Sequence, residues 1–242
     1  MISVLAKVLE KFTIEIIPNL PIFVRTPLYL NILKLRKVKD RLRFAATNKN
    51  PSFEERLDYA LDSRANLNNS GEKLHDFNSN VVLEEIKEGP VKIYKFIPPN
   101  SSKEKYGIYF HGGGYFAGSI TSHKNLISQI SNDSNLIIYF FEYRLSPEYN
   151  FPSAHEDAKL AVDFINTLHP DHQSIWIGES AGGGLATGLV VDKEYLEKPD
   201  NLILLSPWLD LSDGFEDKKF FKNSDITLSL IHISEPTRLR TI

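Results

Sequence analysis

"SIWIGESAGGG", Ser174 to Gly184, is the stretch on which the fold turns. A short apolar run leads into Gly178, a serine stands two residues on, and a second glycine, Gly182, follows two after that. Beyond it, "AGGGLATGLVVDKEYL" (Ala181–Leu196) reads as a helix. Strand, sharp turn and helix in that order are the context required of a G-x-S-x-G elbow, which forces its serine into a strained backbone conformation. The residues two before and two after that serine must be small to avoid collision, and Gly178 and Gly182 are. Ser180 is therefore the candidate nucleophile.

Earlier in the chain, "HGGGYFAGS" (His111–Ser119) follows the apolar run "YGIYF" (Tyr106–Phe110) and places three glycines where a strand should end. One glycine satisfies a tight turn. Three together point to a ligand group that must approach bare backbone amides. When a serine attacks an acyl carbonyl, the oxygen becomes an anion, and each preorganised N–H donor that meets it is worth about 10²–10³ in rate. Ala181, the residue after the serine, offers one such donor, and a glycine loop after an earlier strand offers the others. The two motifs read as halves of one device.

The rest of the chain fits an α/β architecture. "VVLEEI" and "VKIYKFI" flank "KEGP" as a hairpin. "YGIYF", "LIIYFF", "SIWIG" and "LILLS" are near-continuous in apolar residues, as parallel strands covered on both faces tend to be. "SHKNLISQISND", "SAHEDAKLAVDFINTL" and the helix after Ser180 read as crossovers. Upstream of about residue 75, helical patterns are broken by Pro18, Pro21, Pro27 and Pro51 and end in the polar "NLNNSGEK". That gives a helical N-terminal region over 1–75 ahead of an α/β core over 76–227.

Composition narrows the classes. The chain has 242 residues, 42% hydrophobic and 24% charged, with a formal net charge of −3, so nothing points to nucleic acid as a partner. It has no cysteine, which excludes disulfides and thiolate sites. No zinc-ligand spacing or phosphate-binding glycine pattern occurs, and no metal or cofactor is expected. Charges at Lys7, Glu10, Lys11, Glu15 and Arg25 interrupt the apolar N-terminus short of the ~20 residues of a membrane span. "LKLRKVKDRLRF" (Leu33–Phe44) has the pattern of a basic amphipathic helix, which fits a solvated face or an anionic membrane surface. A cytoplasmic protein is expected; the oligomeric state is not legible.

The glycine loop and the elbow together resemble those of the hormone-sensitive-lipase-like branch of the α/β-hydrolases, the bacterial family IV esterases. The resemblance extends to "YRLSPEYNFPSAHEDA" (Tyr143–Ala158) and "SPWLDLS" (Ser206–Ser212). It implies an α/β-hydrolase fold with the N-terminal helices as a cap, and a serine carboxylesterase acting on small acyl esters through an acyl-enzyme. It implies Ser180 as nucleophile, Gly113, Gly114 and Ala181 as oxyanion donors, and His111 with Gly112 as support for the loop. Arg144 and Glu148 are implied to be structural, and Glu142 and Glu179 stand where that branch often has aspartate. An amidase or formamidase of the same branch shares every visible motif. A receptor-like relative that binds ligands without the catalytic histidine remains a third reading.

A triad in this fold takes its acid and its histidine after the serine in chain order. His75, His111, His123, His155, His169 and His172 all precede Ser180, leaving only His232 downstream. His155, at a helix start, reads as a surface or capping residue. His232 lies in "LSLIHISEPTR" (Leu228–Arg238), which resembles the translation of a transposase-end adapter used in sequencing libraries. The expectation is that 228–242 is foreign, that the native chain is cut off near Thr227, and that the C-terminal strands with the triad Asp and His are missing. Asp210, after the strand ending in "SPW", is the alternative acid within the chain.

Overall fold

A computed structural model describes residues 53–74, 76–87 and 89–209, all within one compact unit. Of the expected N-terminal region, only 53–74 is thus described. Asp210, His232 and the stretch 228–242 lie outside the described residues, as do "LKLRKVKDRLRF" and His75.

The elements follow in the order α1 (Phe53–Leu74), β1 (Val82–Ile86), β2 (Lys92–Ile97), β3 (Lys105–Phe110), α2 (Ile120–Ser134), β4 (Ile137–Glu142), α3 (Ser153–Thr167), β5 (Gln173–Glu179), α4 (Ala181–Val191) and β6 (Asn201–Leu205). The six strands form one sheet in the order β1-β2-β4-β3-β5-β6. β1 and β2 pair antiparallel with Val82 opposite Ile97, the expected hairpin, and β2 meets β4 antiparallel. From β4 through β3 and β5 to β6 every pairing is parallel. The α/β reading of the sequence and its four parallel strands are borne out, but only β3, β4 and β5 are buried as expected: β6 is the last strand of the sheet among the described residues, and Ile203 and Leu205 are exposed.

Strand periodicity sorts the core onto two faces. Tyr106, Ile108, Phe110, Tyr139, Phe141 and Trp176 point to one side, where α3 and α4 cover them with Ala161, Val162, Ile165, Leu185, Ala186 and Leu189. Tyr109, Ile138, Phe140 and Ile177 point to the other, against Ile127 of α2. Trp176 is fully buried. Truncating a side chain of that size to Ala in such a core costs about 3–5 kcal/mol.

α2 begins with a capping box in which Ser119 caps Ser122 and Ser122 answers to the Ser119 amide. It ends where Asn135 adopts a left-handed conformation, φ 55°. The polar "NLNNSGEK" forms the last turns of α1, which ends at Leu74, so the helical region closes near residue 75 as the sequence pattern suggests. Tertiary contact outweighs composition there. The Ser119 hydroxyl donates to Asn68 Oδ1 at 2.7 Å, and a Cβ on Gly71 would lie 2.0 Å from the Ser122 carbonyl oxygen.

Candidate active site

β5 delivers its C-terminal end directly into α4, with Ser180 as the hinge at φ 52° and ψ −117°. Positive φ on a non-glycine residue costs of order 1–3 kcal/mol and persists only where its surroundings impose it. Three backbone bonds do so. The Ser180 N–H donates to Leu205 O at 3.0 Å, and the Ser180 carbonyl accepts from Gly184 N at 3.2 Å and Trp208 N at 2.8 Å.

Serine is a favoured helix N-cap because its hydroxyl ordinarily satisfies an orphan amide of the first turn. Ser180 occupies the N-cap of α4 but makes no capping bond. Among the described residues, its Oγ has no hydrogen-bond partner and the Ala181 N–H is likewise unpaired. The hydroxyl and the positive end of the helix are left to whatever enters from outside.

The elbow glycines are placed as the motif requires. A Cβ on Gly178 would stand 2.7 Å from Gly183 Cα, and one on Gly182 would stand 2.0 Å from the Phe110 carbonyl oxygen, where β3 ends. That closeness brings the two motifs of the sequence together, because the chain leaving β3 is the glycine loop. A Cβ on Gly112 would reach 3.2 Å from Ser180 Cβ.

The loop then turns through a run of positive φ: Gly113 at 113°, Gly114 at 63° and Tyr115 at 62°, with Gly118 at 112°. Phe116 N and Ala117 N fold back onto the Gly113 carbonyl at 3.2 and 2.9 Å. The N–H groups of Gly113 and Gly114 have no partner among the described residues. Gly113, Gly114, Phe116, Ala117, Ser180 and Trp208 line one cleft of about 320 Å³, together with Ser63 and Leu67 of α1. A hydroxyl and bare amides facing one concave space can receive an acyl group and the oxygen anion made from it.

His111 lies behind this loop, fully buried. Its Nδ1 donates to the Gly112 carbonyl at 2.8 Å, and its ring stacks on Tyr143 at 4.1 Å with planes 6° apart. The Tyr143 hydroxyl donates in turn to the His111 carbonyl at 2.9 Å. Burial, reinforced by nearby His123, pushes the imidazole pKa down to about 3, which leaves the ring neutral.

Glu179 accepts the Tyr109 hydroxyl at 2.7 Å and sits 3.5 Å from His123 Nε2. The hydrogen bond from His123, with that from Tyr109, holds its carboxyl below the usual range. Glu142 accepts from the Ile120 amide at 2.9 Å at the start of α2. Both glutamates are thus engaged where the implied branch often carries aspartate.

Arg144 and Asp157 form a forked pair, Nε to both carboxylate oxygens at 2.9 Å, with the Arg144 amide adding a bond at 2.8 Å. Glu148 receives Arg64, a partner the sequence did not single out. His155 departs from a surface or capping role: it is half-buried in the first turn of α3, with Nε2 3.5 Å from Asp192. Ser63, Leu67 and Trp208 are the cleft residues that motif reasoning missed. The four-residue interval between Ser63 and Leu67, one helical face, was the available signal.

The pattern of the alpha/beta hydrolase fold family matches residues 107–237, more than half of the chain. The chain belongs to the α/β-hydrolase family. The match carries on past Thr227, so it overlaps the stretch that resembles an adapter. Among curated relatives, the chain is 33% identical over 134 residues to an ethyl acetate hydrolase of Pseudomonas putida, covering 51% of this chain and 42% of that one. It is 30% identical over 172 residues to the arylacetamide deacetylase-like 3 of Mus musculus, covering 64% and 41%. The matched stretch therefore spans about two fifths of each of these relatives. An esterase from the bacterial hormone-sensitive lipase family superposes with a TM-score of 0.63 over 84% of this α/β-hydrolase and 69% of its own chain, at 22% identity, a likeness of fold. No helix among the described residues is long and apolar enough to cross a membrane.

Proposed function

We propose that this α/β-hydrolase cleaves small carboxylic esters through an acyl-enzyme on Ser180. The observation that carries the reading is the unpartnered Ser180 hydroxyl on its strained elbow, facing the same cleft as Gly113 and Gly114. The Ser180 oxygen attacks the acyl carbon as its proton passes to a base, and the carbonyl oxygen becomes an anion met by the amides of Gly113, Gly114 and Ala181. Collapse expels the alcohol, which takes the proton from the base. Water then repeats the sequence on the acyl-enzyme and releases the acid.

The base and its orienting carboxylate come from outside the described residues. They are His232, with Asp210 as the acid, if the C-terminal stretch is native, and residues of a longer reading frame if it is not. The relative named an ethyl acetate hydrolase supports a small ester as substrate. The relative named an arylacetamide deacetylase-like protein keeps an amide in play.

The test is hydrolysis of p-nitrophenyl acetate and butyrate beside p-nitroacetanilide, by the chain expressed from the uninterrupted gene. Ester turnover, lost in Ser180→Ala together with labelling by a fluorophosphonate probe, supports the proposal. Ligand binding with no turnover of ester or anilide overturns it in favour of the receptor-like reading. A genomic read continuing unchanged through "LSLIHISEPTRLRTI" overturns the reading of 228–242 as foreign.

A further inference from the structure

The glycine loop has a conformation that its own hydrogen bonds do not account for. Gly113, Gly114 and Tyr115 take positive φ in succession, and glycine is the residue that loses most freedom on being fixed. The internal bonds, Phe116 N and Ala117 N to Gly113 O, close the inner side of the turn. Its outer side is held by two neighbours. The Ser146 amide donates to Tyr115 O at 2.9 Å. Arg64, on α1, donates Nε to Phe116 O at 2.8 Å and Nη2 to Ser146 O at 2.9 Å.

The same guanidinium forks onto Glu148, Nη1 to Oε1 at 2.6 Å and Nη2 to Oε2 at 2.7 Å. Arg64 and Glu148 are only 20% and 33% exposed, which spares the pair part of the screening that weakens surface ion pairs. Glu148 thereby fixes the plane of the fork and points its third edge at the loop. A planar, five-donor group can bind a carboxylate and two carbonyls at once; an ammonium on a flexible stem cannot reproduce that geometry. The residues beside Arg64 on the helix, Ser63 and Leu67, line the cleft, so the clamp sits at the rim of the candidate site.

We propose that Arg64, oriented by Glu148, is a positioning residue for the oxyanion-receiving loop, which by gripping the Phe116 carbonyl holds the Gly113 and Gly114 amides in line with Ser180. The proposal rests on the esterase reading and adds to it a residue outside both catalytic motifs.

The experiment compares the parent, Arg64→Gln, Arg64→Lys and Glu148→Gln, each in the full chain from the uninterrupted gene, by two measurements. The first is amide exchange of the peptide covering 111–119 by mass spectrometry, which requires no catalysis. The second is the division between kcat and KM on p-nitrophenyl butyrate. Arg64→Gln is expected to speed exchange within 111–119 at least tenfold and to lower kcat by about 10–10²-fold with KM within twofold, the scale on which small misplacements of catalytic groups act. Arg64→Lys is expected not to restore either value, and Glu148→Gln to fall between. If Arg64→Gln does not fold, Glu148→Gln carries the comparison, with the same directions expected.

Faster exchange confined to α1 with 111–119 unchanged would overturn the clamp and leave Arg64 an anchor of its helix. A rise in KM with kcat intact would overturn it in favour of a binding wall. A parent that turns over no substrate defeats the esterase reading, and the exchange measurement then decides the clamp by itself.

Discussion

Substituting Ala at two glycines of α4 should give effects of opposite sign. At Gly182 the new Cβ would stand 2.0 Å from Phe110 O, 2.4 Å from Phe110 C and 2.5 Å from His111 O, where real contacts stay beyond 3.0 Å. All three atoms are backbone, so no rotamer can give way, and α4 must retreat from the end of β3 by roughly 1 Å. That retreat loosens Leu185, Ala186 and Leu189, each buried in the core. Overpacking of side chains costs about 1–3 kcal/mol. With backbone on both sides the cost should reach about 3 kcal/mol or more, a fall in Tm of about 6–12 °C for a chain of this size. At Gly188, on the same helix, a Cβ meets nothing nearer than His155 at 3.8 Å. Gly188→Ala should therefore stabilise by about 0.5–1 kcal/mol through helix propensity. Urea unfolding of both variants beside the parent is the assay. A Gly182→Ala protein within about 1 kcal/mol of the parent would refute the argument that the elbow and the glycine loop are held at backbone contact.

Gly113→Ala combines a φ of 113° with a Cβ 2.2 Å from Ala117 O, so kcat on p-nitrophenyl butyrate should fall about 10²-fold or more; a rise in KM alone would demote the loop to a binding element. Stability should fall with acid, because His111 is held neutral by burial down to about pH 3 while the unfolded chain protonates near 6.5. The folded state thus forgoes a proton that the unfolded state takes up. This contribution is complete above about pH 6.5 and is lost towards pH 3, at up to about 1.4 kcal/mol per pH unit. His169, also pushed down by burial, to about 4, acts in the same direction. Urea midpoints that stay flat between pH 6.5 and 4 would contradict this. Asp157→Ala removes a buried acceptor of both the Arg144 side chain and its amide, and should cost about 2–3 kcal/mol in denaturant unfolding, with an unchanged midpoint counting against the pair.

What could be read from the sequence was whatever a local pattern enforces. The apolar runs of β3, β4 and β5 announce strands because a parallel sheet buries both of their faces, and the spacing of Gly178, Ser180 and Gly182 announces a turn few other residues permit. The joining of "HGGG" to the elbow was legible for the same reason, since bare backbone is rarely assembled without something to approach it. The contributions of Arg64 and Trp208 were not, because each depends on a partner far along the chain. Nothing in "LDSRANL" marks Arg64 as facing Phe116 and Glu148. Likewise the polar residues before Leu74 are kept helical by Ser119 and Ser122, which no periodicity within α1 can reveal.

The backbone of the elbow also carries an order of events. Two of the three bonds that bend Ser180 come from Leu205 and Trp208, residues synthesised well after the serine itself. On the ribosome, where chains emerge at about 5–20 residues per second, β5 and the start of α4 are exposed before either partner exists. The strained φ of Ser180 is therefore expected to be fixed only after Leu205 and Trp208 have emerged and taken their places beside it.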